Sequence, residues 1–528
     1  MTEQNTFDVV VVGAGSAALN AALSASEKGA KVLVIEKAPE HLRGGNSYFT
    51  GGLFRFSYQG IDDITNLLPE MGEEEINKID VGSYNNSEYY SDVMRICEGL
   101  SDPDLVQTLL SESYPTMDWM RKQGIPWILA YGRQAFEHDG KIRFWGGLIV
   151  EAVGGGKGLS DRLFELCGQN DIAIRYSTTA NSLETDHTGR INGIRIKGPS
   201  GYEIVPCKSV VLACGGFEAS SEMRTRYLGP GWELAKVRGT QFNTGDGINM
   251  AMDIGAQSHG HWSGCHAVAW DLNAPAYGDR NVADLFQKHS YPFGLIVNVD
   301  GNRFVDEGAD FRNYTYAKYG REILKQPQRA AFQIFDQKTK HLLRDEYFIQ
   351  QVTSVEANTI EQLANNLGVD EEGLSKTVET YNASVVDGDF NPTELDGKHT
   401  IGINPPKSNW AQKLDTPPYL GYAVTCGITF TFGGLKIDKQ CQVRDTSDLP
   451  IPGLYAAGEL TGGIFYNNYP GGAGLMAGAV FGRIAGSNAA ESVLQINDKN
   501  GTNDIYKHTF LDHYRFHPIE YALGLQIK

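Results

Sequence analysis

The alternation of apolar and polar positions is sharpest in residues 7–36. Val9 to Val12 form a short continuous apolar run, which predicts a buried parallel strand. Gly13-Ala14-Gly15-Ser16-Ala17-Ala18 follows at once, and Leu19, Ala22, Leu23 and Ala25 then recur at helical spacing. Gly29 ends that helix, and Lys31 to Ile35 make a second strand stopped by Glu36. Strand, G-x-G-x-x-A, helix, strand and acid stand in the order of a dinucleotide-binding βαβ unit. Gly13 serves the tight turn, Gly15 lets backbone N–H groups of the Ser16-Ala17 turn approach a pyrophosphate, and Ala18 lets helix and strand pack closely. Glu36, with Lys37 beside it, stands where a carboxylate accepts hydrogen bonds from an adenosine ribose.

Downstream the pattern predicts two kinds of texture. Arg43-Gly44-Gly45-Asn46-Ser47 and Thr50-Gly51-Gly52 form a glycine-rich loop whose backbone can lie against a ring or a phosphate. Fingerprint followed by such a loop favours FAD over NAD. Residues 60–125 predict helices, one opening at Asp102-Pro103. Gly154 to Gly158 precede another helix and lack the full phosphate-loop pattern. Ala173–Thr178 and Ile191–Ile196 predict a small meander, and Val210 to Leu212 a buried strand running into Ala213-Cys214-Gly215-Gly216. Thr244-Gly245-Asp246-Gly247 opens a helix with a capping acid. From about 263 aromatics and mixed charges replace the alanine-rich helices. Gly294–Val299 and Arg303–Val305 predict a hairpin on Asp300-Gly301. After Tyr419 strands and glycines return, ending in GLYAAGEL and a small-residue helix entered through Gly474 and Leu475. Residues 497–504 predict a linker.

The expected fold class is α/β: a Rossmann-type FAD-binding domain (5–262 and 416–495) with one inserted α+β domain (263–415). That the FAD domain is discontinuous and the insert a capping domain is what the family resemblance given below implies. The remaining tail, 496–528, is expected to pack or to contact a second subunit.

A chain of 528 residues needs two or three domains. The net charge of −18 argues against nucleic acid or an anionic membrane as partner, so an anionic substrate needs a local basic cluster. The seven cysteines contain no C-x-x-C pair, which disfavours disulfides, zinc and iron–sulfur clusters. No apolar run approaches a membrane span, and the polar N-terminus enters the first strand directly, so a reducing cytoplasm is expected.

With the fingerprint, RGGNS, ACGGF, TGDG, GNRFVDE and GLYAAGE in this order, residues 5–495 resemble the fumarate reductase/succinate dehydrogenase flavoprotein superfamily. GNRFVDEGADFRNYTYAKYG and IFYNNYPGGAGLMAGAVFGRIAG are most similar to tricarballylate dehydrogenase-like members, and Tyr469-Pro470-Gly471-Gly472 to ketosteroid dehydrogenases. The resemblance implies FAD, a mobile cap and a substrate beneath the flavin, with Gly458-Glu459 on the ribityl chain. It also marks departures. Gly45 stands where some relatives carry a flavin-linking histidine, which implies non-covalent FAD. Thr429 and Phe430 replace a histidine pair, Tyr469 replaces a carboxylate-gripping arginine, and the proton-donating arginine aligns with Lys340.

Two substrate classes fit: small polycarboxylates and cyclic ketones. In either, a proton leaves the carbon α to a carbonyl and hydride leaves the neighbouring carbon for flavin N5, or the reverse. The candidate catalytic groups are Tyr469, Arg312, Tyr314, Tyr316 and Tyr319, with Glu307 and Arg303 as a proton relay or a structural ion pair. Arg312 suits bidentate grip of a carboxylate. Tyr469 suits an oxyanion hole. His266 is a satisfied histidine or a wall of the site. Electrons must leave through a separate partner (redox protein, quinone or oxygen), and a flavin carrier without a substrate is the remaining alternative.

Overall fold

A computed structural model describes residues 6–501. Its first sheet has the strand order Thr179–Thr185, Ile191–Gly198, Gly201–Leu212, Phe7–Val12, Val32–Ile35, Ala173–Arg175. Pro450–Ala456 also pairs with Gly201–Leu212 and carries Gln442–Arg444 at its side. The central pairs are parallel, and Val12 stands level with both Leu212 and Ile35, so three strands end together. Val9, Val10 and Val11 are completely buried, as a strand covered on both faces must be. Each such side chain contributes about 1.5–3 kcal/mol by the usual area bookkeeping.

The fingerprint helix, Ser16–Glu27, packs against the terminal helix, Ala473–Gly501, which is recruited from the far end of the chain. A Cβ on Gly482 would stand 2.4 Å from the Ala17 carbonyl oxygen, and one on Gly486 2.0 Å from that of Ala21. Two bare glycines therefore allow backbone-to-backbone approach at one spacing of four residues.

The second sheet is built on one long strand, Tyr419–Leu435. Lys236–Val237, Ser258–Asp271, Ala331–Phe335 and Ser354–Ala357 all pair with it, and Leu295–Val297 extends the sheet beyond Ala331–Phe335. This sheet begins before residue 263 and ends after 415, so its strands straddle both expected domain boundaries. The helix Arg312–Leu324, here called the cap helix, packs on Ser258–Asp271.

Three local expectations change. Ala173–Arg175 pairs in parallel with Val32–Ile35 instead of joining the meander, which consists of Thr179–Thr185, Ile191–Gly198 and Gly201–Leu212. The 294–305 segment closes as a turn with only a single bridge, Val297 to Arg303, after the short strand Leu295–Val297. Residues 497–501 belong to the terminal helix and not to a linker; the rest of the expected tail lies outside the described residues. Helices at Ile61–Leu67, Glu73–Lys78, Asn86–Ile96 and Pro103–Gln123 fill the region expected to be helical. Asp102 caps the last of them by accepting from the N–H groups of Asp104 and Leu105.

Candidate active site

One elongated cavity runs from the C-terminal ends of the parallel strands to the face of the second sheet. This is where an open α/β sheet presents its loops to a ligand. Its first part is lined by Gly13, Gly15, Ser16, Ala17, Glu36 and Lys37 from the fingerprint unit. Gly45, Asn46, Ser47 and Gly51 come from the glycine-rich loop, and Ala213, Cys214 and Gly215 from the end of the central strand. Thr244, Asp246, Gly458, Glu459, Gly474 and Leu475 complete it.

The local geometry is tight. The Ser16 N–H donates to Ser47 Oγ at 2.9 Å, tying the loop to the start of the fingerprint helix. Glu36 is buried and accepts from the Ala38 N–H at 2.6 Å; burial pushes its carboxyl above the usual range. Lys37 Nζ donates to Asp246 Oδ2 at 2.7 Å and to Thr244 Oγ1 at 2.6 Å. Asp246 is therefore an ion-pair partner and not the expected cap; Gly245 occupies the cap position. Glu459 accepts from the N–H and hydroxyl of Thr431 at 2.8 and 3.1 Å. Glu218, which sequence reasoning missed, accepts from Asn46 and Asn243 at 2.6 Å each. Burial, and then the neighbouring Glu459, push its carboxyl well up.

Four residues expected to touch cofactor do not line the cavity. Ala18 is buried in the packing of the fingerprint helix. Gly44, Gly52 and Gly216 leave room for protein: an added Cβ would meet Ser160 Oγ at 2.5 Å, the Gly155 carbonyl carbon at 2.6 Å and Thr431 Oγ1 at 2.1 Å. The 154–158 glycines are packing residues as well, since a Cβ on Gly156 would lie 2.2 Å from the Ser47 carbonyl oxygen.

The second part of the cavity gathers residues that sequence spacing did not join: Arg133, Arg238, Asp284, Gln287 and His289, with His266, Arg312, Tyr316, Phe430 and Tyr469. Asp284 organises two of the arginines. Arg133 Nη1 donates to Asp284 Oδ2 at 2.9 Å, Arg238 Nε donates to Oδ1 at 2.9 Å, and Gln287 Nε2 donates to Oδ2 at 2.8 Å. Glu151 Oε2 stands 3.8 Å from Arg133 Nε, and burial pushes its carboxyl up to about 7. Arg312 is 6% exposed, donates from Nη2 to the Arg133 carbonyl at 2.6 Å, and has no ion pair within 4.0 Å among the described residues. Its guanidinium has spare donors facing a cavity.

Tyr469 receives the Gly474 N–H at 3.1 Å, and its ring stacks on His266 with centroids 4.8 Å apart. Tyr316 packs edge-on against both His266 and His289. Burial holds both histidines well below the usual imidazole range, hence neutral, and raises the two phenols. His266 is thus a wall of the cavity, with Nε2 unpartnered.

The other candidates lie elsewhere. Arg303 and Glu307 form a sealed ion pair, Nε to Oε1 at 3.0 Å and Nη2 to Oε2 at 2.5 Å, which also receives the Ile296 N–H. Neither faces the cavity, so the pair does not form the relay considered above. Tyr319 donates to the Asp306 carbonyl. Tyr314 points away from the cavity, because it sits two positions from Arg312 on a helix while Tyr316 sits four. Lys340 is 39% exposed and stands 3.6 Å from Glu356, which removes it from the proton-donor position.

Among the described residues no helix is long and apolar enough to cross a membrane, and no group of three or more His, Cys, Asp or Glu could hold a metal. All seven cysteines are free thiols.

The fingerprint turn, the buried acid beyond the second strand and the acid at the base of the terminal helix fit an extended dinucleotide, and similarity to known proteins agrees. The model of the FAD binding domain family matches residues 8–475. The cytochrome-type fumarate reductase of Shewanella frigidimarina is 29% identical over 92% of this chain and 77% of its own length. The 3-oxosteroid 1-dehydrogenase of Mycobacterium tuberculosis is 28% identical over 93% of this chain and 99% of its own length. The open conformation of a flavocytochrome c3 fumarate reductase superposes with a TM-score of 0.69 at 29% identity, covering 93% of this chain and 79% of that one. The chain belongs to the FAD binding domain family, within the fumarate reductase/succinate dehydrogenase flavoprotein superfamily, and is an FAD-dependent oxidoreductase.

Proposed function

We propose that this enzyme introduces, or in reverse reduces, a carbon–carbon double bond α,β to a carboxylate in a small polycarboxylate such as tricarballylate. The observation that carries the reading is Arg312: a buried guanidinium, open to the cavity, with no acid within 4.0 Å among the described residues. Arg133 and Arg238 share one aspartate, so the three arginines at this end outweigh the carboxylates bonded to them. Buried Glu346 acts on Arg312 only from beyond ion-pair distance, and a substrate bearing two or three carboxylates supplies the direct contact that it does not.

FAD, held without a covalent link, supplies the hydride acceptor. The chain's own residues do the rest. Arg312 grips one carboxylate and fixes the α-carbon. The imidazoles of His266 and His289 are kept neutral by burial and by the neighbouring arginines. The bound carboxylates offset both, so that one imidazole can then take the α-proton, while Tyr316 and Tyr469, kept as phenols, donate hydrogen bonds to the carbonyl end. The buried walls exclude water. The experiment is anaerobic titration of the oxidised protein with tricarballylate and, separately, a cyclohexanone-type ketone. Bleaching by the acid alone supports the reading; bleaching by the ketone alone overturns it.

The ketone reading keeps one observation in its favour, the Tyr469 hydroxyl inside an aromatic wall of Phe430, Phe465 and His266. Against it, the Gly474 N–H is already spent on Tyr469 and does not offer the second donor that an oxyanion site needs.

Two further results are expected. Acid precipitation will leave the flavin in the supernatant, because Gly45 offers no atom for a covalent bond; flavin fluorescence that stays with the denatured band would contradict this. KM for a polycarboxylate will rise as pH increases through about 7. Below that pH Glu151 is protonated and leaves the Arg133 charge available; above it the new carboxylate opposes the anionic substrate. Glu151→Gln will flatten the KM–pH profile, measured by initial rates with a dye acceptor. All seven thiols being free suits the reducing cytoplasm that we propose as its location.

A further inference from the structure

Tyr314 misses the cavity, and the contacts it makes instead join two parts of the site. Arg55 Nη1 donates to the Tyr314 oxygen at 3.1 Å, and the Tyr314 hydroxyl donates to Asp92 Oδ2 at 2.5 Å. Arg55 is completely buried. Its Nε donates to the Gly471 carbonyl at 2.7 Å, its backbone N–H to the Gly472 carbonyl at 3.2 Å, and its Nη1 also to the Gly146 carbonyl at 2.5 Å. Two more bonds run between the same segments: the Gly471 N–H to the Asn313 carbonyl at 2.8 Å, and Asn468 Nδ2 to the Tyr314 carbonyl at 2.7 Å. Arg95, on the helix of Asp92, pairs with Asp310 at 2.6 Å, just ahead of the cap helix.

One guanidinium thus holds the 468–472 turn, which carries Tyr469, and through one phenol it holds the helix that carries Arg312. A buried arginine with no carboxylate within 4.0 Å among the described residues is costly, and Arg55 Nη2 has no hydrogen-bond partner among them either. An apolar side chain would fill the same space at lower cost, but only the planar fork can hold a turn carbonyl and a phenol at fixed spacing.

We propose that Arg55 and Tyr314 are positioning residues that set the separation between the Tyr469 turn and the Arg312 helix, and so the fit between the two ends of the bound substrate. This rests on the reading of Arg312 as carboxylate anchor.

The test is Tyr314→Phe, which removes one hydroxyl and keeps the ring. With flavin content and melting temperature near wild type, kcat/KM for tricarballylate per bound flavin is expected to fall at least about tenfold, since misplacement of a gripping group by an ångström can cost about 100-fold. Combined with Arg312→Lys, the two losses will not add. Amide exchange at residues 308–318 will quicken with or without substrate. Asp92→Asn, at the more exposed end of the chain of bonds, will give a smaller effect of the same kind and serves if Tyr314→Phe folds poorly. Unchanged kcat/KM per flavin, or strict additivity with Arg312→Lys, overturns the proposal, as does unchanged exchange. If Arg312→Ala alone leaves tricarballylate binding intact, the carboxylate reading has failed, and the exchange measurement still judges the tie.

Discussion

Arg312→Ala is expected to leave a folded yellow protein that tricarballylate bleaches only at far higher concentration. Alanine is the best helix former, so the first turn of the cap helix survives the change. What disappears is a desolvated guanidinium with no ion-pair partner of its own within 4.0 Å among the described residues. Removing one partner of a buried, hydrogen-bonded charge pair costs about 2–5 kcal/mol. At about 1.4 kcal/mol per tenfold, apparent affinity falls roughly 30-fold to several thousand-fold. The measurement is flavin absorbance in an anaerobic titration, with FAD content checked on the same sample. An unchanged curve would remove the polycarboxylate reading. Tyr469→Phe, run alongside, costs turnover in either reading, about 3 kcal/mol of barrier for one donor, and separates the rival by affinity: a ketone enzyme loses its main polar contact and binds weakly, while a polycarboxylate enzyme keeps the affinity that Arg312 supplies.

Gly13→Ala is expected to yield protein without flavin. Gly13 has φ of +102°, and a Cβ there would lie 2.5 Å from the Ala213 carbonyl oxygen and 2.7 Å from the Cys214 Cα. Those are backbone atoms at the end of a central strand that is level with Val12, and they cannot swing aside. The backbone conformation alone costs about 1–2 kcal/mol for an L side chain, and overpacking adds about 1–3 kcal/mol. The strain falls on the turn that must approach the pyrophosphate. Purified variant should contain little FAD and should melt earlier even in excess cofactor. Gly29→Ala is the control: its φ is +88°, yet nothing lies within 4 Å of an added Cβ, so it should cost little more than the backbone strain and retain flavin. Equal flavin loss in both variants would show that the close approach is not the cause.

The cofactor half of the cavity was largely legible because its signal is local. Strand, turn, helix and acid follow one another within thirty residues, and their order carries the geometry. The substrate half was not. Arg133, Arg238, Asp284 and His289 come from separate segments, and only the folding of the second sheet against the first brings them to one cavity. No periodicity joins them. A single basic residue such as Arg133, in the four-residue helix Tyr131–Gln134, reads as surface until its partner Asp284 is known. Arg303 and Glu307 left two readings open, a relay or a structural ion pair, and their spacing of four residues lets them saturate one another. Tyr314 and Tyr316 looked alike in sequence, and the helical repeat sends one to the tie with Arg55 and the other to the cavity.

The fingerprint helix rests on the terminal helix at Gly482 and Gly486, and the strand Pro450–Ala456 completes the sheet beside Gly201–Leu212. The cofactor crevice is thus bounded by the first and the last described parts of the chain at once. During synthesis the βαβ unit emerges early, without the helix that will cover it and without Glu459. The ribosome must pass the whole second sheet before the crevice exists. A crevice with all of its walls therefore forms only after the chain has been made through the start of the terminal helix, so FAD is expected to bind late, after the first βαβ unit has had the chance to form.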